Sequence, residues 1–84
     1  MRTFQQILEA AGYETSAYSG RGMAGTECVS AGLPGDGRLG RLFADVTEAM
    51  GADENKLVAA AFRRMRTDSI GLSSVVYFPG IAHE

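Results

Sequence analysis

The sequence predicts an α+β fold, a small antiparallel sheet of about three strands packed against helices in the order α-β-β-α-α-β. Three observations lead there. Apolar residues recur at helical spacing in three stretches, residues 4–11, 39–50 and 53–66. Strand-forming residues gather at 13–18, 26–31 and 73–78, each stretch bounded by glycine or proline. The glycine-rich turn between the first two strand stretches favours a hairpin with an enlarged loop, which pairs them antiparallel.

Each element has a local cause. Thr3 and Gln6 stand at capping-box spacing, and Phe4, Ile7, Leu8 and Ala11 then line one helix face, with Gly12 as the stop. From Tyr13 to Tyr18 the side chains alternate, with Tyr13, Thr15 and Ala17 opposite Glu14, Ser16 and Tyr18. Thr26 to Ala31 is the expected partner strand. Gly32, Pro34, Gly35 and Gly37 mark a loop, with Asp36 as N-cap of the second helix.

Leu39, Leu42, Phe43, Val46 and Met50 form that helix's apolar stripe, its expected core face. Gly51 and Ala52 leave space only for a tight turn, so the third helix, capped by Asp53, must lie antiparallel beside the second. Its expected buried side is Leu57, Val58, Ala61, Phe62 and Met65. Val75, Val76, Tyr77 and Phe78, between Gly71 and Pro79, have the unbroken apolar character of a well-buried strand. No repeat, low-complexity tract or linker interrupts residues 1–84, which are expected to form a single compact domain.

Composition narrows the function classes. A domain of 84 residues hides roughly 60 to 65% of the surface its unfolded chain exposes, which leaves no room for a separate catalytic lobe. Hydrophobic residues make up 45% and charged residues 21%, the balance of a globular chain and not a disordered one. A net charge of -2 at pH 7 lacks the broad basic footprint of a duplex binder. Lys56 is the only lysine, so the cations are nearly all arginine, which suits planar hydrogen bonding and desolvated interfaces.

Cys28 is the only cysteine, which excludes a disulfide or a cysteine-based metal site within one chain and fits an intracellular life. No apolar run approaches the ~18 to 20 residues of a membrane span. The opening MRTFQQILEAAG reads as an amphipathic helix and not as a secretory signal, so the expected location is the cytoplasm.

Few motifs carry chemistry. Gly20, Gly22 and Gly25 match G-x-G-x-x-G, but residues 26–30 read as a strand, whereas a dinucleotide fingerprint must open a helix inside a parallel unit. The glycines are better suited to a wide loop that holds Tyr18, Arg21 and Met23 toward solvent, residue types favoured at binding surfaces. His83 has no acidic or cysteine cluster around it, Ser69, Ser73 and Ser74 lack a nucleophile-elbow sequence, and Cys28 fits a small buried hydrophobe. No catalytic residue, metal site or cofactor is expected.

The charges of the second helix are reversed. Arg38 and Arg41 stand in its opening turns and Asp45 and Glu48 toward its end, against the macrodipole, at ~0.3 to 1 kcal/mol for each misplaced charge. The third helix obeys the rule, with Asp53 and Glu54 first and Arg63, Arg64 and Arg66 last. A local rule broken without local benefit points to a surface kept for a partner or to tertiary compensation.

Tyr18-Ser19-Gly20-Arg21-Gly22-Met23, Thr67-Asp68-Ser69-Ile70-Gly71 and Val75-Val76-Tyr77-Phe78-Pro79 together resemble a pattern in small proteins of phages and mobile elements. Some proteins of that kind are anti-CRISPR inhibitors, which occupy a surface of a Cas effector without catalysis. The resemblance implies a compact module that binds a larger complex and transfers no functional residue; the chain is expected to be a monomer or homodimer. The first reading is therefore a non-enzymatic protein-binding module, an anti-CRISPR-like inhibitor that blocks nucleic-acid access. Its contacts are Tyr18, Arg21, Met23, Arg38, Arg41, Asp45 and Glu48. Two alternatives stand beside it: a small-ligand or nucleotide-binding protein using residues 20–25, and a nucleic-acid binder using Arg63, Arg64 and Arg66.

Overall fold

Thr3 and Gln6 form the expected capping box, Gln6 N–H donating to Thr3 Oγ1 at 3.1 Å and Thr3 N–H to Gln6 Oε1 at 2.9 Å. The computed structural model, which describes residues 2–18, 28–33, 39–70 and 73–81, begins α1 (Phe4–Ala10) at that box. Gly12, at φ 99°, ends it as expected, where the Gly12 and Tyr13 amides donate to the Glu9 and Leu8 carbonyls.

β1 (Thr15–Tyr18) and β2 (Cys28–Leu33) pair antiparallel, with Thr15 opposite Ala31 and Tyr18 opposite Cys28. Two helices come next, α2 (Leu39–Ala49) and α3 (Asn55–Arg63), joined through a 3-10 turn at Ala52–Glu54. The chain closes with β3 (Arg66–Ile70) and β4 (Ser73–Pro79). Strand order in the sheet is β1-β2-β4-β3, every neighbour antiparallel.

The class and the element order agree with the sequence, and the sheet has a fourth strand that the sequence does not announce. Arg66-Thr67-Asp68-Ser69-Ile70 continues the basic end of α3 and holds one large aliphatic residue, so no period marks it. It is a strand because β4 offers backbone partners along its length, from Arg66 opposite Tyr77 to Ile70 opposite Ser73. α3 consequently stops at Arg63, short of the Arg66 that its charge pattern suggests.

Register sets the core. Val29 lies beside Phe78 and Ala31 beside Val76, and this sheet face forms one buried cluster with Phe4, Ile7 and Leu8 of α1, Leu42 and Val46 of α2, and Val58 and Ala61 of α3. Burying each large apolar side chain of this kind contributes about 1.5–3 kcal/mol. On the opposite face Val75 and Tyr77 are half-buried, so β4 is less enclosed than its apolar run suggests. α2 and α3 each pack more extensively on α1 than on each other. Phe43 near the start of α2 meets Phe62 near the end of α3, the antiparallel sense that the short connection requires.

Two details of that connection differ from expectation. Asp53 makes no capping hydrogen bond at the start of α3. Glu54 organises the corner instead, its Oε1 accepting from Gly51 N–H at 2.8 Å. No helix among the described residues is long and apolar enough to cross a membrane.

Candidate docking face of α2 and α3

α2 presents two different flanks. On the polar flank, Arg41 Nε lies 3.8 Å from Asp45 Oδ2, one helical turn on. The same oxygen accepts a 2.7 Å hydrogen bond from the hydroxyl of Tyr13, which is 7% exposed. Burial pushes the Tyr13 phenol up to about 12, and the Asp45 hydrogen bond and negative charge push the same way. The carboxylate placed against the dipole therefore has a tertiary occupation: it holds the segment after α1 against α2. Glu48 is exposed and lines, with Asp45 and Ala49, a small cleft of about 240 Å³ at the end of α1.

Of the sequence-predicted contact residues, the structure brings Arg41, Asp45 and Glu48 together along α2. Tyr18 ends β1, with its side chain outside the description. Arg21, Met23 and Arg38 lie outside the described residues, as do the glycines of residues 20–25, Asp36 and His83. Cys28 is fully buried in β2, as expected of a small hydrophobe. Among the described residues no group of three or more His, Cys, Asp or Glu could hold a metal ion.

The other flank is apolar, and sequence reasoning placed it in the core. Leu39 and Phe43 are 38% and 55% exposed, while Leu42 and Val46 of the same stripe are fully buried. A helix rolled to bring Asp45 to Tyr13 turns Leu39 and Phe43 away from the sheet. Phe43 is nevertheless held in place. Its ring meets Phe62 edge-on at 4.6 Å, Phe62 meets Phe78 at 5.6 Å, and Phe78 meets Phe4 at 4.7 Å. All four phenylalanines of the chain thus form a ladder from the sheet to the surface. Edge-to-face pairs of this kind are worth about 0.5–1.5 kcal/mol each beyond their buried area.

Beside the last rung, α2 and α3 part to form an open groove of about 460 Å³ lined by Phe43, Thr47, Met50, Val58, Phe62 and, at its rim, Arg63. Arg63 is the only charged residue in the lining and makes no ion pair among the described residues. The groove can take an apolar side chain and present a guanidinium to an acid beside it. One sequence signal marks the feature: Leu39 and Phe43 sit together on one edge of the apolar stripe, where a small change of helix roll decides between core and solvent.

A half-buried ion pair that no local pattern in the sequence marks ties this face to α1. Arg2 meets Glu54, 4% exposed, through Nη2 to Oε1 at 2.6 Å and Nε to Oε2 at 3.0 Å, and Arg2 Nη2 also donates to the Ala49 carbonyl at 2.9 Å. The guanidinium hydrogen bond, then that of Gly51, holds the Glu54 carboxyl down to about 2. The pair ties the start of α1 to the α2–α3 corner. No protein family, curated protein or solved structure matches this chain.

Proposed function

We propose that the chain is a non-enzymatic protein-binding module that docks on a larger protein complex through the groove between α2 and α3. The observation that carries this reading is Phe43, more than half exposed and yet fixed by a ladder of rings. A rigid aromatic at the mouth of an apolar groove loses little freedom on binding, which is the property of an interface hot spot. The occupant that fits is an apolar side chain of the partner with a carboxylate next to it, because Arg63 is the single charge on the rim and has no acid of its own among the described residues. The groove offers shape, apolar area and one cation, with no acid–base pair in its lining, so the reading is binding and not catalysis.

The resemblance of residues 18–23, 67–71 and 75–79 to small phage and mobile-element proteins supplies the class of partner, a Cas effector whose nucleic-acid access the chain blocks. The test is to mix the chain with purified Cas ribonucleoprotein complexes and to measure co-elution and target-DNA binding. A stable complex with reduced DNA binding is the expected result, weakened about thirtyfold by Phe43→Asp, the equivalent of about 2 kcal/mol. Complex formation that ignores Phe43→Asp would reject the groove, and the absence of any complex across the panel would reject the effector reading.

A further inference from the structure

At the far end of α3, three arginines surround one cavity. Arg63 closes the helix, Arg64 is its C-cap, and Arg66 is the first residue of β3. With Met65, Pro79 and Gly80 they line a space of about 400 Å³. The ordinary explanation for cations here is the helix dipole, but its magnitude is too small. A helix C-terminus carries about half a negative elementary charge, which one arginine more than satisfies. Nor do the side chains cap the helix: the last turn is closed by the Arg64 and Met65 amides donating to the Ala61 and Phe62 carbonyls, and Arg64 Nη1 instead donates to the Gly80 carbonyl at 3.3 Å.

The three arginines have no carboxylate partner among the described residues, whose ion pairs are Arg2–Glu54 and Arg41–Asp45. Three adjacent unpaired cations in a chain of net charge -2 repel one another, and an anion between them relieves that repulsion. Gly80 sits at φ 79°, and a Cβ there would lie 3.4 Å from Arg64 Nη1. The guanidinium thus rests over a glycine, with the rest of its fork unused among the described residues.

We propose that this cavity binds a phosphorylated small molecule, its phosphate oxygens held in the forks of Arg63, Arg64 and Arg66. Guanidinium groups match phosphate geometry through two parallel N–H donations, which a lysine cannot reproduce. The proposal goes beyond the docking face, with which it shares only Arg63.

The test is a titration of the full chain with sodium phosphate and sodium pyrophosphate at fixed ionic strength, following the arginine Nε–Hε resonances by NMR. Saturable shifts of Arg63, Arg64 and Arg66 are expected, with pyrophosphate binding tighter. Arg66→Gln, which removes no side-chain hydrogen bond seen among the described residues, should weaken pyrophosphate binding at least tenfold, and Arg64→Lys with Arg66→Lys should restore only part of it. Shifts that sodium chloride reproduces, or affinity that survives Arg66→Gln, would overturn the site. A single-stranded oligonucleotide that binds while pyrophosphate fails to displace it would also overturn it, in favour of a nucleic-acid surface.

Discussion

The two ends of α3 use arginine in opposite ways. At its start Arg2 reaches back to Glu54, and the carboxylate accepts from the Arg2 side chain, the Arg2 amide and the Gly51 amide. At its end the side chains of Arg63, Arg64 and Arg66 share one hydrogen bond, to the Gly80 carbonyl, and meet no acid among the described residues. The first arrangement is a structural joint, because its charges are matched and removing one partner strands the other. The second leaves its donors available. What distinguishes a joint from a site in this molecule is how much of the hydrogen-bonding capacity the fold itself consumes, not the residue type.

The largest expected effect breaks the joint. Glu54→Gln leaves the half-exposed Arg2 guanidinium without its charge partner, and Tm at pH 7 should fall by more than in the variants below, read by circular dichroism. The same carboxyl sets an acid response. Its folded-state pKa is depressed from the usual 4.5 to about 2, so its contribution is fully present above about pH 4.5 and is lost as pH falls toward about 2. Wild-type Tm should decline across that window, and Glu54→Gln should flatten that part of the decline. An unchanged acid profile in the variant would mean that the pair carries no stability.

Next in size is Tyr13→Phe, which removes the hydrogen bond to Asp45 and should lower Tm by about 6 °C. The phenol's raised pKa gives the opposite pH sign: its contribution is whole below about pH 10 and is lost as pH climbs to about 12, so ultraviolet titration should show a phenol ionising near pH 12. Phe43→Ser should cost less, about 4 °C for one edge-on ring contact, although it should also weaken docking. Smallest of all is Arg66→Gln, expected to move Tm by no more than about 2 °C, and upward, because it relieves like-charge repulsion. A large loss of stability from Arg66→Gln would erase the contrast between the two ends.

The polar and apolar flanks of α2 sharpen the same lesson. Arg41 and Asp45 look exceptional in the sequence because they oppose the dipole, but Tyr13 accounts for the carboxylate, 32 residues away along the chain. Leu39 and Phe43 look ordinary, two members of an apolar stripe, and among the described residues they are the large apolar side chains left in solvent. Charge order along a helix is visible locally, whereas the roll of that helix against a sheet is set by contacts with α1 and the sheet. The helix that carries the docking face was therefore legible in the sequence, and the exposure of Leu39 and Phe43 on it was not.

Short-range physics determined much of the fold without help. The Thr3–Gln6 box, the Gly12 stop, the antiparallel β1–β2 pairing and the apolar periods of three helices each depend on residues close to one another in the chain. Tertiary structure alone decided the rest. β3 exists because β4 supplies its hydrogen-bond partners, Glu54 is a joint because Arg2 arrives from 52 residues away, and three arginines converge because a helix end and a strand start fold against Gly80. The physical reason is the same in each case: a backbone edge, a buried charge or a cation acquires its role from what the folded chain brings within hydrogen-bonding distance, and that partner leaves no mark on the neighbouring residues in sequence.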